Sequence, residues 1–189
     1  ETCWRCVRPV AEPGLCSICE RNPLKGNPVR SRVMFEGEMR DLIHALKYRG
    51  AASVAQALAP HMAASWRRYD MDADLLIPVP LHPQREAKRG YNQAYLLAAA
   101  LSPHIDCPVA PYVLKRMRNT TSQTQLNLEE RRQNVTGAFA VAPGLDLKGY
   151  KVTLIDDVAT TGSTLDACAK MLLQANAEKV SAFTLARAP

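Results

Sequence analysis

The sequence predicts an α/β protein: a mostly parallel sheet flanked by helices, preceded by a small four-cysteine head. Three observations carry this. Apolar runs at 74–79, 152–155 and 180–186 have the length and composition of strands buried on both faces. They alternate with stretches of helical period, such as that through Leu165, Cys168, Ala169, Leu172 and Leu173. Cys3, Cys6, Cys16 and Cys19 form two Cys-x-x-Cys pairs at the start of the chain. A length of 189 residues suits one principal domain with a small appendage.

The two cysteine pairs bracket a turn at Pro13-Gly14. Two such knuckles can place four thiolates tetrahedrally around one zinc ion, at ~2.3 Å each, with no position left open for chemistry. The expected role is structural, since so short a segment has almost no core and metal binding would supply much of its folding free energy. Disulfides and a redox pair are the alternatives; a reducing compartment disfavours the first, and the second ordinarily uses one pair. Trp4 and Leu15 are candidates to cover the metal. Arg21 to Val29, with two prolines, Gly26 and two asparagines, reads as a linker. Residues 1–28 are therefore expected to form a zinc-binding head and 29–189 the main domain, with loss of zinc loosening the head and sparing the rest.

The main domain opens with a strand at 29–35 and a helix from Glu36, with Met39, Leu42, Ile43 and Leu46 on one face. Lys47 and Arg49 at its end read as favourable end charges. A second helix is expected from Ala52 to Tyr69, interrupted or re-phased at Pro60. The strand at 74–79 delivers a basic loop containing His82, Arg85, Lys88, Arg89 and Gly90, and a helix follows over 94–101. His82 reads as a loop-packing residue. A third strand is expected over 108–115, then a polar, weakly patterned loop from Arg116 to Gln125, a helical stretch over 128–134 and a short strand at 137–141. Cys107 and Cys168 read as buried apolar residues.

Lys151 to Cys168 organises the rest. Val152 to Ile155 reads as a strand, and Asp156 and Asp157 stand at its C-terminal end, where ligands bind in open α/β sheets. Ala159, Thr160, Thr161, Gly162, Ser163 and Thr164 then lead into a helix. The unpaired N–H groups and partial positive charge of a helix N-terminus favour a phosphate. Gly162 lets the backbone approach, and the hydroxyls add donors. The acids are placed to hold hydroxyls or a metal-bound ligand one sugar-length away, so the set describes a ribose phosphate. Neither a Walker A loop nor spaced dinucleotide glycines are present.

The net charge of +6 leaves room for an anionic partner. Between His82 and Asn134, eight Lys or Arg stand against four acids, a basic excess in the loops expected to face the crevice. Arg116, Arg118, Arg131 and Arg132 are the candidates there for contact with DNA phosphates. No apolar run reaches the length of a membrane span and the start is no signal peptide, so no membrane insertion and a cytoplasmic location are expected.

The strand, acid pair and Val-Ala-Thr-Thr-Gly-Ser-Thr turn over Val152 to Thr164 resemble the phosphoribosyl pyrophosphate (PRPP) motif of type I phosphoribosyltransferases. The order of motifs extends the likeness: the four-cysteine knuckle, Leu46-Lys47-Tyr48-x-Gly50, Pro78-Val79-Pro80-Leu81-His82, Arg89-Gly90-Tyr91-Asn92-Gln93, and a block from Gln125 through Arg132 and Asn134 to Phe139. Together they resemble the ComF family. The resemblance implies a type I phosphoribosyltransferase-like fold with a zinc ribbon, and a role in natural competence and transformation beside DNA-uptake or recombination proteins, contacting incoming single-stranded DNA. It also implies that Asp156 and Asp157 act on the ribose as the catalytic pair, 159–164 hold the 5′-phosphate, and Arg89 and Gly90 take a pyrophosphate whose charge Mg²⁺ offsets. The alternative is an active phosphoribosyltransferase of nucleotide metabolism, passing ribose 5-phosphate from PRPP to an unidentified acceptor. A ligand-sensing scaffold is a third reading. No residues that would read a base stand out, which leaves catalysis open.

Overall fold

A computed structural model describes residues 1–21, 28–48, 51–119 and 134–188. Four strands, β1 (Val29–Met34), β2 (Leu75–Pro78), β5 (Lys151–Ala159) and β6 (Lys179–Arg187), form one sheet in the order β1-β6-β5-β2, parallel throughout. The fold class expected from the sequence is the one observed. β5 and β6 are buried along nearly their whole length, because helices cover both faces.

One face carries α2 (Gly37–Tyr48), α3 (Ala51–Arg68) and α5 (Gln93–Ile105). Ile43, Leu46, Met62, Leu97 and Leu101 pack there with Ile155, Phe183 and Leu185, and Trp66 meets Phe183 edge-on at 5.6 Å. Leu42 is 38% exposed and lies off the face expected for it. The other face carries α6 (Ser163–Gln174) and an antiparallel hairpin of β3 (Leu114–Arg116) and β4 (Phe139–Val141). Val152, Leu154, Leu165, Leu172 and Phe139 make the core on that side.

Several expectations need correction. α3 runs through Pro60 without a break, because Pro60 and Gln56 are both exposed and the carbonyl freed by the missing N–H reaches water. Residues 108–115 are not one strand. Val109 alone bridges β2 at Leu76, and the chain then turns away to build the hairpin. Pro108 and Pro111 lack the N–H groups a sustained ladder requires. The basic loop contains a helix, α4 (Pro83–Arg89), with His82 Nδ1 accepting from the Gln84 N–H at 3.3 Å and Gly90 closing it at φ +86°. His82 is thus a helix cap. β5 runs to Ala159, four residues beyond Ile155, because its ladder with β6 continues to Arg187.

The cysteine segment, with a one-turn α1 (Ser17–Glu20), packs directly on the sheet. The Val29 N–H donates to Arg5 O at 2.8 Å, Arg30 donates to the carbonyls of Trp4 and Arg5, and Arg8 reaches Ala188 O at 3.5 Å. The expected linker lies largely outside the described residues, as do Arg49, 120–125 and nearly all of the expected helix over 128–134.

Candidate functional site

The sheet brings the loops after β2 and β5 to the same edge, since β2 pairs with β5 from Leu75↔Val152 to Pro78↔Ile155. Beyond the pairing, the Val79 N–H donates to Ile155 O at 2.9 Å. Asn92 ties the basic loop down from its far end. Its side chain donates to Val79 O at 3.0 Å and accepts from the Ala94 N–H at 2.9 Å, capping α5. Arg89 ends α4 and donates to Gln93, and Gly90 follows in the left-handed conformation.

Asp156 and Asp157 are strand residues rather than loop residues. Asp156 is half-buried and accepts from the Asp157 N–H at 2.9 Å. Burial, and then the neighbouring Asp157 charge, push its carboxyl well above the usual range. Asp157 is buried; its Oδ1 accepts from the Val158 N–H at 2.9 Å and its Oδ2 lies 2.8 Å from Lys47 Nζ. Lys47 is therefore a partner of the acid pair and not merely an end charge of α2. Which acid Lys47 would meet was not legible in the sequence, because the two residues lie on elements far apart in the chain.

Of the residues expected at a phosphate, Ala159 is the last residue of β5, and 160–162 form the turn. Gly162 sits at φ +82°, which a side chain would oppose, and α6 begins at Ser163. The Thr161 and Ser163 hydroxyls bond each other at 2.8 Å, and the Ser163 N–H donates to Thr161 Oγ1 at 3.3 Å. The turn is thus held in shape by its own hydroxyls. Thr160, Thr161 and Thr164 keep part of their surface exposed.

The expected DNA contacts divide. Arg116 is 9% exposed, its guanidinium 5.3 Å from the centre of the Phe139 ring, and burial lowers its pKa. It is mainly a packing residue. Arg118 is exposed and donates to Asn134 O at 3.4 Å. Arg131 and Arg132 lie outside the described residues. Beside the hairpin a cleft of about 580 Å³ opens, lined among others by Tyr95, Tyr112, Lys115 and Met117. Tyr112 is 83% exposed and Tyr95 43%. Spacing could not reveal this cleft, because its tyrosines come from separate elements.

The four cysteines are brought together. Their sulfurs all lie within 4.8 Å of one another, and all four are buried. Cys3 Sγ accepts from the Cys16 N–H at 3.3 Å, and Cys19 Sγ from Arg5 Nη1 at 3.7 Å. The hydrogen bond between Cys6 and Cys19 lets the pair hold one thiolate and one thiol, lowering Cys6, with help from the Arg187 charge, and raising Cys19. Arg187 is 5% exposed, and its Nε and Nη1 have no hydrogen-bond partner among the described residues. Four thiolates around a divalent cation carry two net negative charges, which the buried Arg187 and, through its contact with Cys19, Arg5 partly offset. The donor set therefore fits a metal ion, and zinc in particular. Leu15 packs against it as expected, with Val10 and Ile18 in place of Trp4, which is 68% exposed.

Removing the Lys47 charge has a defined consequence. Lys47→Met leaves Asp157 buried without its cation, and the side chains are 28% and 7% exposed in the pair. A loss of about 1–3 kcal/mol is expected in urea unfolding, less than for a fully buried pair. A change under ~0.5 kcal/mol would contradict it.

The phosphoribosyl transferase domain family matches residues 91–189. Competence protein F of Haemophilus influenzae is 32% identical over 95% of this chain and 93% of its own. DNA utilization protein YhgH of Salmonella typhimurium is 30% identical over 98% of this chain and 83% of its own. Competence protein ComFC of Bacillus subtilis is 31% identical over 98% and 77% respectively.

Proposed function

The chain belongs to the phosphoribosyl transferase domain family, within the group that includes competence protein F and ComFC, and we propose that it binds PRPP with Mg²⁺ at the end of β5 and acts in natural competence. One observation carries the ligand reading: a half-buried and a buried carboxylate, then a hydroxyl-bonded turn opening a helix, at the C-terminal end of a central parallel strand. The turn and the first N–H groups of α6 suit the 5′-phosphate, and Asp156 and Asp157 suit the ribose hydroxyls. The basic loop with Arg89 and Gly90 suits the pyrophosphate. Mg²⁺, arriving with the ligand, would offset pyrophosphate charge, and Asp156 is a fitting oxygen donor near it, because a cation relieves the repulsion from Asp157.

The head, residues 1–28, holds zinc as a structural ion in this reading, and 29–189 make the PRPP-binding domain. No helix among the described residues is long and apolar enough to cross a membrane, and a cytoplasmic place beside DNA-uptake or recombination proteins follows from the proposed role. Calorimetric titration of PRPP tests the ligand: saturable binding that requires Mg²⁺ is expected. No heat at millimolar PRPP would overturn it.

Contact with single-stranded DNA is the companion reading, supported by the names of the relatives and by the cleft. Exposed tyrosines in one cleft with Lys115 combine stacking faces with a cation, the pairing that single strands favour. Fluorescence anisotropy should show salt-sensitive binding of a labelled oligothymidine. Tyr95→Ala/Tyr112→Ala should weaken it by about 1–3 kcal/mol per stacked base. Binding absent at low salt would remove the reading, and binding unaltered in the variant would move it away from the cleft.

A further inference from the structure

Asp166 poses an electrostatic difficulty for the phosphate turn. It sits in the first turn of α6, buried, with its N–H donating to Gly162 O at 2.9 Å. Its carboxylate lies so close beneath Gly162 that a Cβ there would stand 3.6 Å from Oδ2. An uncompensated carboxylate at that point would repel a phosphate dianion and compete for the positive end of the helix.

The compensation comes from the other end of the chain. Arg5, between Cys3 and Cys6, sends Nη2 to Asp166 Oδ1 and Nη1 to Cys19 Sγ at 3.7 Å. The paired side chains are 3% and 10% exposed, so solvent screens the contact little. The backbone of Arg5 is fixed as well, its carbonyl accepting from the Val29 N–H at 2.8 Å and from Arg30. One guanidinium thus touches a sulfur of the metal cluster and the carboxylate under the phosphate turn.

We propose that Arg5 is a positioning residue of the phosphate site: it neutralises Asp166 and anchors the 162–166 turn, and the metal-bound head holds it there. The proposal rests on the reading of 159–164 as a phosphate-binding turn. It makes the four-cysteine head part of the ligand site, although none of the head's residues need touch the ligand. Metal loss would release Arg5 and break its ion pair with the buried Asp166.

The test uses the full chain loaded with zinc and ribose 5-phosphate as the probe, which reports on the phosphate turn without pyrophosphate or Mg²⁺. Arg5→Gln should retain one zinc per chain and bind ribose 5-phosphate about tenfold to a hundredfold more weakly, the scale of one added like charge close to a phosphate at a partly screened site. Asp166→Asn alone should bind at least as well as the wild type. Arg5→Gln/Asp166→Asn should recover most of the affinity, and Arg5→Lys part of it. A purely structural role would instead lower affinity in all four variants, and that pattern overturns the proposal, as does unchanged affinity in Arg5→Gln.

Hydrogen exchange of the 162–166 amides supplies a readout independent of the ligand. Exchange should quicken in Arg5→Gln and on chelation of the metal. Should the wild type bind neither PRPP nor ribose 5-phosphate, the phosphate reading falls, and the exchange data alone judge the anchoring. Unaltered exchange would overturn that too.

Discussion

Titration of PRPP and Mg²⁺ into an Asp156→Asn/Asp157→Asn variant is expected to give no binding at concentrations that saturate the wild type. The loss should exceed about a hundredfold, since two charge-assisted contacts disappear together. Asp156→Asn alone should have a second, opposite effect on stability. Burial and the Asp157 charge raise the proton affinity of Asp156 in the folded chain. Between the ordinary carboxylate range and that raised value, the folded state binds more protons than the unfolded one, so stability falls as pH rises. Removing the charge should raise Tm at pH 7 by about 2–4 °C, the response of a chain this size to ~1 kcal/mol. The gain should vanish below the unfolded pKa of the carboxyl, where both states are protonated. A lower Tm at pH 7 would contradict the assignment of Asp156 as a functional group held at a cost in stability.

Metal removal should have the largest effect on stability. Cys3→Ser/Cys19→Ser, or chelation of the wild type, is expected to leave no zinc by elemental analysis. Tm should fall by on the order of 10 °C or more, since metal affinity in such knuckles is largely folding free energy. The sequence suggested a head that loosens by itself. The Val29–Arg5 and Arg30–Trp4 hydrogen bonds and the Arg5–Asp166 ion pair carry its loss into β1 and α6. Unfolding should therefore remain one transition, displaced to lower temperature. Protein that elutes without zinc and melts like the wild type would refute both the metal and its role.

The parts of this fold that were legible in the sequence are those whose cause is local. The strand into α6 announced itself because an apolar run, two acids and a Gly-hydroxyl turn are adjacent in the chain, and the cysteine spacing predicted the cluster in the same way. Pro83 and Gly90 were local signals for α4 that a basic, loop-like composition concealed. Lys47 with Asp157, and Arg5 with Asp166, were invisible because their partners are distant in sequence and no periodicity links them. At 108–115 the apolar composition was right for a strand, but composition does not say whether a neighbour has room to pair.

That same segment bears on how the molecule behaves in a crowded solution. A four-stranded open sheet ends in two borders, and wherever these stay unpaired each can template a strand from another chain. At the β2 border, Val109 occupies one rung, and Pro108 and Pro111 deny further donors to an incoming strand. At the β1 border the cysteine head takes the first donor, the Val29 N–H bonding to Arg5 O, and Arg30 ties the head down through the Trp4 and Arg5 carbonyls. Both borders thus discourage self-assembly into extended β-structure, while the C-terminal edge of the strands, where Asp156 and Asp157 stand, is left out of that protection.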